Sequence, residues 1–267
     1  MAWNAGPAPL YLGILNLTPD SFSDGGRFFS LENALAQATH LVNAGAGILD
    51  LGAESTRPGS AYVSPEEEWR RIAPVLARLR AELPGIPLSL DTRHASTARL
   101  ALDHGVSILN DVAGLRDPAM LALAAEKGCD VIAMRSRMEG ETFLMPPYDD
   151  PSPRTADKAI EELAQVRDRL LQAGFSRDRI LLDPGFGFGT TYLEDLALWE
   201  CLPTLPERLA WPAGRFCIAV SRKRFLSRMA GVPQLPPDQR DGLTDEAHRS
   251  AMAWGYRIFR THALPSS

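Results

Sequence analysis

Eight short apolar runs punctuate this 267-residue chain, and nearly every one ends in a side chain that can hydrogen-bond or carry charge. Asn16 ends the first; Asp50, then Glu54 and Ser55, follow the second; Asp91 ends the third. Asn110 and Asp111 end the fourth, and Asp183 the sixth. Ser221, Arg222 and Lys223 follow the seventh, and Arg260 with His262 closes the eighth. Any one of these is most simply a turn or helix-cap residue, the common role of an Asp after a strand. The joint pattern asks for more. Carboxylates, amides and cations at the ends of successive strands would meet at one mouth. Two loops add to this: NLTPDSFSDGGRF, with Pro19, Asp20, Ser21, Ser23, Asp24, Gly25 and Gly26, and GAESTRPGSAYV, with Thr56, Arg57, Pro58 and Gly59. Glycine and small hydroxyls suit a mobile lid, and Arg57 an anion contact. The loops over Asp20 to Phe29 and Thr56 to Tyr62 are therefore expected to move without ligand.

The runs that position these residues are LYLGILNL (10 to 17), GILDLG (47 to 52), LSLD (88 to 91), ILNDV (108 to 112), VIAM (131 to 134), ILLDPG (180 to 185), FCIAVS (216 to 221) and YRIFRTH (256 to 262). Each is nearly continuously apolar, as a parallel strand covered on both faces must be. Between them lie helical stripes. After Ser64, apolar residues fall at Trp69, Ile72, Leu76, Leu79 and Leu83. Ser64 is placed to cap, Pro65 suits the first helical position, and Glu67 is expected to complete a capping box. A second stripe runs Ile160, Leu163, Val166, Leu170, and Asp117-Pro118 starts another capped helix. Eight βα repeats predict a single (β/α)8 TIM barrel domain over residues 1–267, with catalysis at the C-terminal ends of the strands. An open doubly wound sheet is the rival. Only ALPSS follows the eighth run, so the barrel is expected to lack its last outer helix. A partner subunit, a rearranged helix or the N-terminal segment would then cover the strip between first and last strands.

Composition excludes several classes. Hydrophobic residues make up 45% and charged residues 23%, ordinary for a soluble globular domain, and the formal net charge of −5 argues against a nucleic-acid binder. No apolar run approaches the roughly 18 residues of a membrane span. No secretory signal is evident, so a cytoplasmic protein is expected. Cys129, Cys201 and Cys217 are scattered and show no metal-ligand spacing; buried free thiols are expected. His40, His94, His104 and His248 are read as helix-surface or helix-end residues.

The stretches LGILNLTPDSFSDGGRF, LDLGAESTRPGS, SLDTR, ILNDVAG, DPGFGFG, SRKRF and RTH, in this order from about residue 10 to 263, resemble those of dihydropteroate synthases. NLTPDSFSDGG with ESTRPG is highly specific; GFGFG or SRK alone is not. The resemblance implies a transferase of folate biosynthesis that joins a dihydropterin pyrophosphate to para-aminobenzoate, with Mg2+ as cofactor and sulfonamides as inhibitors. It implies that Asp183, Asn110 and Asp91 bind the pterin, that Lys223 meets the ring's acceptor atoms, and that Met134 walls it. Asn16 resembles the Mg2+-associated residue, and Arg260 and His262 the diphosphate contacts. Phe22, Thr56, Arg57, Pro58, Phe188 and Ser221 match positions around para-aminobenzoate. Asp91, Asp183, Lys223 and Arg57 are the expected catalytic set. The alternative for the last strand is that Arg260 pairs with a nearby carboxylate and His262 merely ends the strand.

Three positions depart from the family pattern. Arg135 stands where a His is usual, Thr190 where a Lys follows GFG, and Asp195 where an Asn is usual. These alter charge around the mouth. The family's homodimer contact commonly uses the last outer helices, so the resemblance implies a homodimer. A pterin-binding paralogue without synthase activity is the alternative function; a pterin-dependent methyltransferase would need neither ESTRPG nor SRK.

Overall fold

The computed structural model describes residues 3, 8–18, 27–54, 62–140, 142–144, 146–152, 155–232 and 235–265, with 27–30 described as backbone only. Eight parallel strands occupy the predicted runs. They are β1 (Leu10–Asn16), β2 (Ile48–Gly52), β3 (Leu88–Asp91), β4 (Ile108–Asp111), β5 (Asp130–Met134), β8 (Ile180–Asp183), β9 (Cys217–Ile218) and β10 (Ile258–Thr261). A two-stranded hairpin, β6 (Met138–Glu139) and β7 (Thr142–Phe143), interrupts them. The sheet order is β8-β5-β4-β3-β2-β1-β10-β9, and a parallel bridge from Leu182 to Phe216 joins the two outer strands. The sheet is therefore a nearly closed barrel, and the open doubly wound alternative is excluded.

Helices lie between the strands: α1 (Arg27–Asn43), α2 (Pro65–Glu82), α3 (Ala95–Asp103), α4 (Pro118–Lys127) and α5 (Asp157–Gln172). The pair α6 (Tyr192–Cys201) and α7 (Leu205–Arg208) precedes β9, and the pair α8 (Arg224–Met229) and α9 (Asp241–Ala253) precedes β10. Arg27 to Phe29, expected in a loop, begin α1. Ser64 accepts from the Glu67 amide with Pro65 in the first turn, as expected. The reciprocal half of the box is replaced: the Glu67 carboxylate takes Arg70 and Arg71 instead. Asp117 caps α4, and Ile160, Leu163, Val166 and Leu170 are the buried stripe of α5.

Alternation splits the barrel interior into two layers. The lower is apolar: Leu12, Ile48, Ile108, Ile132, Leu181, Cys217 and Ile258, closed from below by Trp3. Two residues further along the strands stand Asp50, Asn110, Met134, Asp183 and Arg260. Asp91 joins them from β3, opposite Asn110 in the register.

The seam between β1 and β10 is covered from outside by α9. The buried His248 ring lies 4.6 Å from Phe259 and 5.9 Å from Tyr11, which are register partners across the seam. His248 is thus a core residue, correcting its reading as a surface or helix-end histidine. Burial pushes its pKa down to about 4, and neither ring nitrogen has a hydrogen-bond partner among the described residues. His94 and His104 do sit at the ends of α3. All three cysteines are free and buried. Among the described residues, no helix is long and apolar enough to cross a membrane.

Candidate active site at the barrel mouth

The upper layer is a buried electrostatic network. Asp50 is fully buried on β2. Its Oδ2 accepts from Asn110 Nδ2 at 3.0 Å and from Arg260 Nε at 2.6 Å, while its Oδ1 has no hydrogen-bond partner among the described residues. Arg260 also donates through Nη2 to Asp91 Oδ2 at 2.6 Å. Burial works against the Arg260 charge, but Asp50 and Asp91 raise its pKa further and keep it protonated. Burial pushes the Asp91 carboxyl up to about 7, against the pull of Arg260, with Asp50, Glu68 and Asp111 adding to the rise. Asp50 was legible as a strand-end residue but not as the centre of this network. Counting two residues up each strand from the apolar layer would have found it.

Asp183 ends β8, also buried. Its Oδ1 accepts from the Gly185 amide at 2.8 Å. Burial raises its pKa to about 6; that amide and the charges of Lys223, Arg260 and Arg135 oppose the rise. Lys223 enters from the N-terminus of α8, as its cap residue. Burial lowers its pKa, and Asp183 and Asp195 resist. Its Nζ stands 4.4 Å from the centroid of the Phe188 ring. One carboxylate and one cation therefore face the mouth from adjacent loops, with an aromatic face beside them.

His262 and Ser221 meet at the far side. Ser221 Oγ lies 3.0 Å from His262 Nδ1 and accepts from the His262 amide at 3.1 Å. Arg260 points into the barrel, where it reaches Asp50 and Asp91. Its guanidinium pairs with carboxylates, as the alternative for it anticipated, while His262 is joined to the seventh-strand loop rather than merely ending the strand. Asp111 has the bland role: its carboxylate caps the Ala113 and Leu115 amides.

The hairpin and the β3 loop supply contacts that sequence did not single out. Phe143 packs edge-on against Phe188 with ring centroids 6.0 Å apart. Arg93 stacks over Phe143 and Tyr62 and makes a bidentate pair with Glu54. The structure thus brings together Asp91, Asn110, Asp183, Lys223, Phe188, Ser221, Arg260 and His262, with Met134 at the end of β5 beside Asp183. Asn16 ends β1 opposite Gly52. Phe22, Thr56, Arg57 and Pro58, with most of both expected lids, lie outside the described residues.

The same fold occurs in known proteins. The profile of the pterin binding enzyme family matches residues 12–262. The chain belongs to the dihydropteroate synthase family. It is 40% identical to the dihydropteroate synthase of Bacillus subtilis over 254 residues, 95% of this chain and 83% of that protein. The dihydropteroate synthase of Xanthomonas albilineans, solved with 4-aminobenzoic acid, superposes with a TM-score of 0.83 at 37% identity, covering 96% of this chain and 88% of that one. That of Yersinia pestis, solved as a sulfonamide drug complex, gives 0.81 at 34% identity, covering 96% and 90%. Like other dihydropteroate synthases, the chain is an enzyme of the transferase class, EC 2.5.1.15.

Proposed function

We propose that the upper layer of the barrel holds a dihydropterin pyrophosphate and joins its methylene carbon to the amine of para-aminobenzoate. The observation that carries this is that the buried Asp183 carboxylate and the Lys223 cation, whose Nζ lies 4.4 Å from the Phe188 ring, feel each other's charge at one mouth. A pterin's amino-oxo edge places donors beside an acceptor. A carboxylate takes the donors in charge-assisted bonds and a cation takes the acceptor.

In the reaction the carbon–oxygen bond to diphosphate breaks and its electron pair leaves with the diphosphate. The carbocation left behind is stabilised by the pterin and by the carboxylates of Asp91 and Asp183. The para-aminobenzoate nitrogen then forms the new carbon–nitrogen bond and releases a proton to solvent. No covalent enzyme intermediate is needed. On this reading His262 would meet the leaving diphosphate and Ser221, 3.0 Å from it, would lie on the para-aminobenzoate side, while Arg260 holds Asp50 and Asp91 in place through its two hydrogen bonds.

Mg2+ fits as an ion carried in by the diphosphate. Among the described residues no three acidic, histidine or cysteine side chains cluster as a metal site. Asn16 would supply one neutral oxygen at a strand end, and Mg2+ of this kind takes its remaining ligands from phosphate and water. When bound, it neutralises charge on the leaving group. Sulfonamides would occupy the para-aminobenzoate position. The test is a coupled assay with dihydropterin pyrophosphate, Mg2+ and para-aminobenzoate. Dihydropteroate and pyrophosphate should form in equal amounts. Pterin binding with no product would instead favour the inactive paralogue.

A further inference from the structure

The segment from Asp183 to Gly189 carries both the carboxylate and the aromatic face of the site, yet it is neither helix nor strand beyond Asp183. Its shape needs an external hold. Gly185 has φ of +74°, and a Cβ there would stand 1.9 Å from the Arg135 carbonyl oxygen. Gly189 has φ of +71°, and a Cβ there would meet Arg137 Cβ at 2.7 Å. The turn is pressed against the chain leaving β5, and two arginines of that chain reach across it.

Arg135 is almost wholly buried. Its Nε donates to the Pro184 carbonyl at 3.0 Å and its Nη2 to the Gly185 carbonyl at 2.9 Å, while Nη1 donates to Glu162 Oε2 at 3.1 Å. Its backbone amide bonds the Asp183 carbonyl at 3.0 Å. Arg137, two residues on and hence on the same side of an extended chain, donates from Nη1 to the Gly189 carbonyl at 3.1 Å and to Glu194 Oε1 at 2.7 Å. Its Nε shares Glu162 at 3.1 Å. The interior of the same turn is held by Asp195 Oδ1, which accepts from the Gly187 amide at 2.9 Å and the Thr190 hydroxyl at 2.7 Å. Arg135, Thr190 and Asp195, the three positions that depart from the family pattern, thus surround one turn.

We propose that Arg135 is a positioning residue. Its guanidinium, helped by Arg137, fixes the backbone of the turn that begins at Pro184 and so sets where Asp183 meets the pterin. The proposal rests on Asp183 being a pterin contact. A fixed fork of donors suits this task, because two carbonyls and a carboxylate are met at once in one plane. A lysine keeps the charge but cannot reproduce the fork.

The test compares Arg135→Lys, Arg135→Met, Glu162→Gln and Asp183→Asn. In Arg135→Lys the KM for dihydropterin pyrophosphate should rise about tenfold while the KM for para-aminobenzoate stays within about twofold. Amide exchange at Gly185 and Gly187 should quicken. A residue that merely supports the fold would move both KM values together. Arg135→Met should show the same split more strongly. Should it fail to fold, Glu162→Gln loosens the same guanidinium from the partly exposed face of α5 and should give a smaller rise in the same direction. Parental KM values and exchange rates in the Arg135 variants, with pterin affinity lost in Asp183→Asn, overturn this proposal alone. Normal pterin affinity in Asp183→Asn overturns the reading of the site and the proposal with it.

Discussion

Two layers of the same barrel, two residues apart along the same strands, obey opposite rules. The lower layer is isoleucine, leucine and cysteine packed with a tryptophan, and it stabilises by burial alone, about 1.5–3 kcal/mol for each large aliphatic side chain. The upper layer buries Asp50 and Asp183 and partly buries Asp91, Arg260 and, from the start of α8, Lys223. There burial is unfavourable to every charge, and Asp91 and Asp183 are pushed up to about 7 and about 6. Ion pairs offset part of this cost, yet a buried ion pair is weak evidence for stability. The contrast teaches that the lower layer holds the barrel together so that the upper layer can remain poorly solvated and reactive.

Breaking the comparison from above gives the largest expected effect. Lys223→Ala and Asp183→Asn should each lower kcat/KM by about a thousandfold or more, with far-ultraviolet circular dichroism unchanged. A parental rate in either would remove that residue from the chemistry. Breaking it from below should do the reverse. Ile132→Ala should destabilise by about 2–5 kcal/mol in denaturant unfolding while both KM values hold in the folded fraction. A raised pterin KM with unchanged stability would mean the layers are not separable.

The pH axis sharpens the same division. Pterin recognition by Asp183 needs the carboxylate, so kcat/KM for dihydropterin pyrophosphate should fall as pH drops below about 6, and a flat profile down to pH 5 would contradict the assignment. His248 at the seam acts on stability instead. Its pKa falls from 6.5 to about 4 on folding. The unfolded chain therefore binds the proton first, and stability is lost as pH falls from 6.5 towards 4, by up to about 3 kcal/mol. His248→Phe should remove that dependence. The measure is the difference between variant and parent, since Asp91, Asp111 and Asp183, with raised pKa values, contribute stability that is lost as pH rises. An unchanged difference from pH 7 to 5 would return His248 to a bland role.

Much of this was legible in the sequence, because it is local. Runs of buried β residues, the Ser64 and Asp117 caps and the α5 stripe are set by neighbours a few residues away. The strand-end positions of Asp91, Asn110 and Asp183 follow from the same runs. What escaped is long-range. Asp50 meets Asn110 60 residues on and Arg260 210 residues on, and no periodicity records such a pairing. The hold of Arg135 on Pro184 and Gly185 is of the same kind, so a charge change that looked disruptive proved to be internally paired. His248 read as a surface residue because its partners, Tyr11 and Phe259, come from opposite ends of the chain.

The most direct test of the division between layers is calorimetric titration of 6-hydroxymethylpterin into Asp183→Asn and Ile132→Ala, each paired with a thermal melt. The account predicts that Asp183→Asn loses about 10- to 100-fold in affinity with its melting temperature held, as expected when a charge-assisted pair becomes neutral. Ile132→Ala should keep the parental affinity and melt lower. Equal affinity in both variants, or a loss of affinity in Ile132→Ala that matches Asp183→Asn, would contradict it.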